Sequence, residues 1–377
     1  MTVAYCHCAY YRLAPAEVAD GVLRGLAAAG GPFEAVADLC GLAARRDPAM
    51  KRLAEADRLQ VAACYPRAVR ALFATAGTPL GADAEVLNMR ERGLDEIVGA
   101  LRPPAAAAGA SGPIESAPDR LHLVLYEAPP AAPLAAPRRA ELLEALLAAG
   151  YSVTCPPAGA PLPPVAGGPV LVLADGADRL EGAGQLLLAD IAERGAAEVV
   201  AAVEAHRDRL GLPAPGEWVP WFPVIDADRC KRCKQCLNFC LFGTFAADDD
   251  GRVYVAHPDH CKTNCPACAR ICPEVAIVFP KYKSGPICGA EPTPQEPGDA
   301  KVKVDVAKLL AGDVREVLRA RSRPAGAGRP ARPDEVVEEL GLSPEILASV
   351  RQRMRQQGAG PPGGPAGEES PGDGGSQ

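Results

Sequence analysis

No apolar run in the 377 residues is long enough to cross a bilayer, and the opening Met1-Thr2-Val3-Ala4-Tyr5-Cys6-His7-Cys8 lacks the charged start and apolar stretch of a secretory signal. Neither a membrane span nor export is expected, and the chain reads as cytoplasmic. It also lacks an excess of positive charge: the net charge is −7, which argues against a nucleic-acid binder. Aromatic residues are few and Ala, Gly and Pro abundant, a compositional bias with no functional meaning of its own. A nucleotide fingerprint is missing, since Gly182-Ala183-Gly184 has neither a third glycine nor a strand directly before it, so no flavin or nicotinamide is expected. No acid–base pair or nucleophile triad can be picked out, which leaves no stand-alone reaction to assign. What the chain does have is cysteine, fourteen residues in all. Where thiols are kept reduced, these read as metal ligands rather than disulfides.

Eight of them fall in two runs. Cys230, Cys233, Cys236 and Cys240 follow C-x2-C-x2-C-x3-C, while Cys261, Cys265, Cys268 and Cys272, with Pro273 next, follow C-x3-C-x2-C-x3-C-P. A two-residue gap lets successive sulfurs point at one centre, and a three-residue gap opens a helix that carries the last sulfur away. Iron–sulfur ligation needs three soft thiolates on a loop around one face of each cube and a fourth from elsewhere to close it. Structural zinc also uses C-x2-C knuckles, but it needs one quartet and accounts for neither the other cysteines nor the doubling.

The pattern resembles the bacterial-type two-cluster ferredoxins from about Val224 to Tyr282. In that family the fourth cysteine of each run ligates the other cluster. The resemblance therefore implies one [4Fe-4S] centre on Cys230, Cys233, Cys236 and Cys272, and a second on Cys261, Cys265, Cys268 and Cys240. Two departures stand out. Lys262-Thr263-Asn264 adds a residue to the second run, which leaves Cys288 or a three-iron site as alternatives to Cys261 at that corner, and Leu241 stands where the family usually has proline. Around the motif, Asp249-Asp250-Gly251 offers a tight turn, Arg252 to Val255 one arm of a hairpin, and Ile277, Phe279 and Tyr282 apolar cover. Arg229, Lys231, Arg232 and Lys234 crowd the first loop, where positive charge favours a reduced cluster.

Residues 1–102 alternate strand and helix as a parallel α/β sheet does, with strands at Val3–Cys6, Phe33–Asp38, Leu59–Ala63 and Glu85–Asn88. Cys6 and Cys8 follow the first strand, Cys40 the second and Cys64 the third. The carboxyl ends of parallel strands line a common crevice, so these thiols are expected to converge as a candidate third metal site. The pieces Cys6-His7-Cys8, Leu39-Cys40, Val61-Ala62-Ala63-Cys64-Tyr65-Pro66-Arg67 and Asn88-Met89-Arg90-Glu91-Arg92 look like the amino-terminal domain of the heterodisulfide reductase A subunit family. That resemblance implies a third [4Fe-4S] centre, with Cys6, Cys8, Cys40 and Cys64 as the thiols available by position, although Gly93 stands where the family commonly has a further cysteine.

A Pro/Ala/Gly-rich linker is expected at 103–118. A second α/β unit follows at 119–215, with strands at Leu121–Tyr126, Tyr151–Cys155 and Val170–Ala174 and helices at Arg138–Ala149 and from about Gln185 to Leu210. The ferredoxin-like α+β domain then spans 216–300, a helical extension 301–357 and a disordered tail 358–377. The expected fold class is thus α/β, parallel-sheet domains followed by a small two-cluster domain and a helical extension. The expected function is electron transfer through two [4Fe-4S] clusters and a candidate third, in a subunit or adaptor of a larger complex with redox partner proteins. The competing expectations are a heterodisulfide-reductase-like component acting on a thiol or disulfide, and a structural or regulatory metal module.

Overall fold

The computed structural model describes residues 2–101, 113–127, 133–157, 160–175, 186–188 and 190–292. The helical extension, the tail, Gly182–Gly184 and residues 103–112 of the expected linker lie outside the described residues.

The amino-terminal strands form where expected: β1 (Thr2–Cys6), β2 (Phe33–Val36), β3 (Leu59–Ala63) and β4 (Glu85–Asn88). Between them run α1 (Ala16–Ala29), α2 (Leu39–Arg45), α3 (Pro48–Ala54) and α4 (Pro66–Thr75), and α5 (Leu94–Ala100) follows β4. Proline opens α3 and α4, where its missing N–H costs nothing. The short α2 was not evident in the sequence. It exists because Asp38 caps it, accepting a hydrogen bond from Gly41 N at 2.9 Å, and this puts Cys40 in the first turn of a helix.

The next run contributes β5 (Ile114–Ser116), β6 (His122–Leu125), α6 (Ala136–Ala148), β7 (Val153–Cys155), β8 (Val165–Gly167), β9 (Val170–Leu173), β10 (Leu186–Leu188) and α7 (Ala196–Arg209). Both α/β runs share one eight-stranded sheet, in the order β10-β9-β6-β7-β2-β1-β3-β4. Every neighbouring pair in it is parallel except β2 with β7. The sheet is therefore two parallel quartets running in opposite directions, so the carboxyl ends of β1–β4 share an edge with the amino ends of β6, β7 and β9.

Two expectations are corrected. Leu186–Leu188 is not helical but an edge strand paired with β9, because an unbroken leucine triplet satisfies an open sheet edge and offers no helical stripe. The end of the expected linker, Ile114–Ser116, is not a plain linker but pairs with Val165–Gly167 as β5 and β8, a separate two-stranded parallel ribbon.

Apolar residues sort to the two faces of the sheet. Val3 and Tyr5 of β1 point to the side covered by α1, α5, α6 and α7, while Ala4 points to the side covered by α2, α3 and α4. On that second side the core continues from Phe73 and Val61 into Trp221, Phe222, Val224, Ile277 and Phe279 of the cysteine-rich module. The module holds two small antiparallel ladders, β11 (Val224–Ile225) with β14 (Ile277–Val278) and β12 (Phe245–Ala247) with β13 (Val253–Val255), and two short helices, α8 (Gln235–Phe239) and α9 (Ala267–Ile271). The hairpin read from Asp249-Asp250-Gly251 is present, with Gly251 at φ +73 and the Asp248 carboxylate accepting from Arg252 N at 2.7 Å.

Candidate metal centres

Each four-cysteine run wraps a loop and then enters a short helix, α8 or α9, before its last cysteine. Arg232 and Lys234 take the left-handed region at φ +55 and +58, which bends the first loop tightly enough to turn its sulfurs inward. The structure brings Cys230, Cys233, Cys236 and Cys272 around one cavity, closed otherwise by Val253, Ala276, Ile277 and the stems of Lys231 and Lys234. Burial pushes the Cys236 thiol up to about 12, and Cys272, Cys230 and Cys233 beside it add to the rise. The Cys272 sulfur accepts a hydrogen bond from Ala276 N at 3.3 Å.

The second group assembles in the same way. The inserted residue is absorbed by a turn in which Cys265 N donates to Lys262 O at 3.1 Å and Asn264 adopts φ +62, a conformation asparagine tolerates. Cys261 consequently stays beside Cys265 and Cys240, and burial together with those two neighbours pushes its thiol up to about 12. Cys268 is raised by burial and then by Cys261, Cys236 and Cys240, so it borders both groups and the two centres abut. Burial also acts on Cys240, but the Thr244 hydroxyl and the backbone N–H groups of Thr244, Phe242 and Gly243 near its sulfur outweigh it and leave that thiol below its ordinary value. The Thr244 side chain is buried, its hydroxyl has no hydrogen-bond partner among the described residues, and it lies near the sulfurs of Cys240 and Cys261. Cys288 lies elsewhere, against Tyr65 and donating to Gly285 O at 3.0 Å.

The remaining candidates meet at the carboxyl edge of β1–β4, at the point between β1 and β3 where the strand order reverses. Cys8, at φ +54, is the common neighbour of Cys6, Cys40 and Cys64. Burial pushes Cys64 up to about 12 with help from Cys8, and it raises Cys6 and Cys40 as well. His7 is not part of this group: its ring nitrogens face Tyr5 and Arg12, and burial followed by Arg12 lowers its pKa to about 4.

Three cations that sequence reasoning missed join this edge to the cysteine-rich module. Lys281 is buried, pairs with Asp38, and its Nζ lies 3.5 Å from Cys8 Sγ. Burial alone would lower the Lys281 pKa, but Asp38 and then Cys40 and Cys8 raise it well above its ordinary value, so it stays charged. Arg67, three residues after Cys64, bonds Asp226 at 2.6 Å and the carbonyls of Val275, Pro286 and Ala290. Arg90 stacks 5.0 Å over the Tyr65 ring and bonds the carbonyls of Tyr282 and Lys283. No periodicity marks such residues, because their partners are distant in sequence.

The donor sets fit iron–sulfur groups. Each holds four thiols, sulfur-directed N–H or O–H groups border both quartets of the module, and Ile277 and Val253 keep one side dry. A structural zinc quartet leaves the abutting second quartet without a role.

Residues 222–284 match the family described as a 4Fe-4S dicluster domain. Over 66 residues the chain is 44% identical to a Methanocaldococcus jannaschii protein described as an uncharacterized ferredoxin, an alignment covering 17% of this chain and 44% of that relative. The chain thus spans less than half the length of the curated relative it matches. No solved structure matches. Residues 222–284 therefore form a 4Fe-4S dicluster ferredoxin domain, and the chain carries an iron–sulfur electron-transfer module.

Proposed function

We propose that the chain works as an electron-transfer subunit or adaptor of a larger redox assembly, with a third centre beyond the two of its ferredoxin domain. Cys230, Cys233, Cys236 and Cys272 would hold one [4Fe-4S] group, Cys261, Cys265, Cys268 and Cys240 the second, and Cys6, Cys8, Cys40 and Cys64 the third. Bound there, such groups supply one-electron chemistry by changing valence, while the protein sets burial, charge and spacing. Lys281 places a fixed positive charge beside Cys8 and favours the more negative, reduced form of whatever that quartet holds. Thr244 does the same for the second group through its hydroxyl. Arg67 and Arg90 keep the ferredoxin domain against the sheet edge, so that the spacing between centres is fixed. The observation that carries the reading is the meeting of Cys8, Cys40 and Cys64 with Lys281 of the ferredoxin domain.

The test is anaerobic purification with iron and acid-labile sulfide counted per chain, for the wild type and Cys64→Ala. The expected result is about twelve irons, falling by about four in the variant. About eight irons in both samples removes the third centre, and zinc without sulfide removes all three.

A further inference from the structure

Apart from the cysteine sites, the sheet encloses a cavity of about 340 Å³ where the two strand quartets meet. That volume lies at the lower end of the range for small-molecule sites, about 300–1,000 Å³. Its walls include Tyr10, Arg45, Arg120, Tyr151, Arg207 and Trp218.

Three acids, Glu34, Asp47 and Asp259, and three arginines, Arg45, Arg120 and Arg207, line it. Glu34 is already taken, bonded to Arg52 at 2.9 Å and to the Thr154 hydroxyl at 2.7 Å. Asp47 caps α3 by accepting from Ala49 N at 3.0 Å, and burial raises its pKa. Asp259 sits exposed at the rim. Arg207 is held by Asp208 at 2.6 Å and by the Tyr151 hydroxyl at 3.1 Å. Arg45 feels the attraction of Asp47 but makes no close ion pair among the described residues. Among the described residues Arg120 pairs with one acid, Asp119 at 3.8 Å, and its buried Nε has no hydrogen-bond partner. The two guanidinium groups line the same space, Arg45 exposed at its mouth and Arg120 half-buried, and the charge of Arg120 acts on Arg45. Two like charges facing one hole, one with an orphaned N–H, favour an anion that accepts from both.

Tyr10 forms part of the wall. A side chain at Gly150, at φ +90, would come within 2.6 Å of Pro215 and 3.0 Å of the Tyr10 hydroxyl, so glycine lets the chain close on that ring. Burial raises the Tyr10 pKa, with Asp38 adding to the rise and Arg45, Lys281 and Arg120 opposing it.

We propose that this cavity binds a small organic anion, a carboxylate or phosphate compound, whose acidic group is clamped by Arg45 and Arg120 and whose body lies against Tyr10, Tyr151 and Trp218. The inference does not depend on any cysteine holding a cluster.

The test uses the full chain, anaerobically purified, with inorganic phosphate, pyrophosphate and citrate titrated calorimetrically at ionic strength matched with chloride. At least one probe is expected to saturate a single site per chain, and to bind about tenfold or more weakly in Arg45→Gln and in Arg120→Gln. Both variants should melt no lower than the wild type, since each removes a repulsion. In the wild type, the saturating probe should also protect Arg45 and Arg120, but not the exposed Arg92, from phenylglyoxal labelling read by peptide mass spectrometry. Absence of saturable binding with all three probes, binding unchanged in both variants, or labelling unaffected by the probe would overturn the proposal.

Discussion

At the scale of single residues, the ferredoxin domain is tuned by groups that do not bind metal. Thr244 lies near the sulfurs of Cys240 and Cys261, and hydrogen bonds to cluster sulfur stabilise the reduced state. Thr244→Val keeps the shape and removes the hydroxyl, so the potential of the second centre should fall in a redox titration followed by electron paramagnetic resonance. An unchanged potential would show that the hydroxyl does not act on those sulfurs. Val275 stores strain of another kind: a β-branched residue at φ +53, it occupies the place that Gly243, at φ +68, takes after the first run. His122 gives a pH effect of definite sign. Burial and then Arg52 lower its pKa to about 3, whereas in the unfolded chain it is about 6.5. Between those values the unfolded chain binds a proton that the folded chain refuses, so this contribution to stability is present above about pH 6.5 and is lost as the pH falls toward 3. Urea unfolding at pH 7.5 and pH 5 should show a smaller acid loss in His122→Gln than in the wild type; equal losses would mean that the imidazole titrates normally.

Among the elements, α4 carries the most consequence for its length. It begins two residues after Cys64 and contributes Arg67, whose guanidinium bonds Asp226 and the Val275 carbonyl of the ferredoxin domain and the carbonyls of Pro286 and Ala290 just beyond it. Arg67 and Asp226 are both largely buried, so removing one partner leaves the other charge uncompensated. Arg67→Ala is expected to cost about 3–5 kcal/mol in denaturant unfolding. A loss under about 1 kcal/mol would place the pair among solvent-screened surface bridges. This contact also marks where sequence reading stops. The strands β1, β3, β4 and β9 were legible from their apolar runs and the cysteine loops from their spacing, since both signals are local. The three-residue strands β8 and β10 are too short to show a period, and α2 depends on a cap rather than a stripe. The contacts made by Arg67, Arg90 and Lys281 could not be found, because their partners lie far off in sequence, 159 positions for Arg67 with Asp226 and 243 for Lys281 with Asp38.

Over the whole molecule, these contacts give the cysteines a common setting. Two opposed strand quartets bring the carboxyl ends of β1, β2 and β3 to one edge, the ferredoxin domain packs on that edge, and Lys281 enters it beside Cys8. The convergence of Cys6, Cys8, Cys40 and Cys64 could be anticipated from strand order alone, whereas the cation among them could not. The central claim is that the paired quartets of residues 222–284 carry electrons. Its most direct test is low-temperature electron paramagnetic resonance of the anaerobic full chain, before and after dithionite. The account predicts a sample silent when oxidised and, once reduced, the broadened signals of spin-coupled [4Fe-4S] pairs, reversed on reoxidation. A reduced sample with no iron–sulfur signal would contradict it.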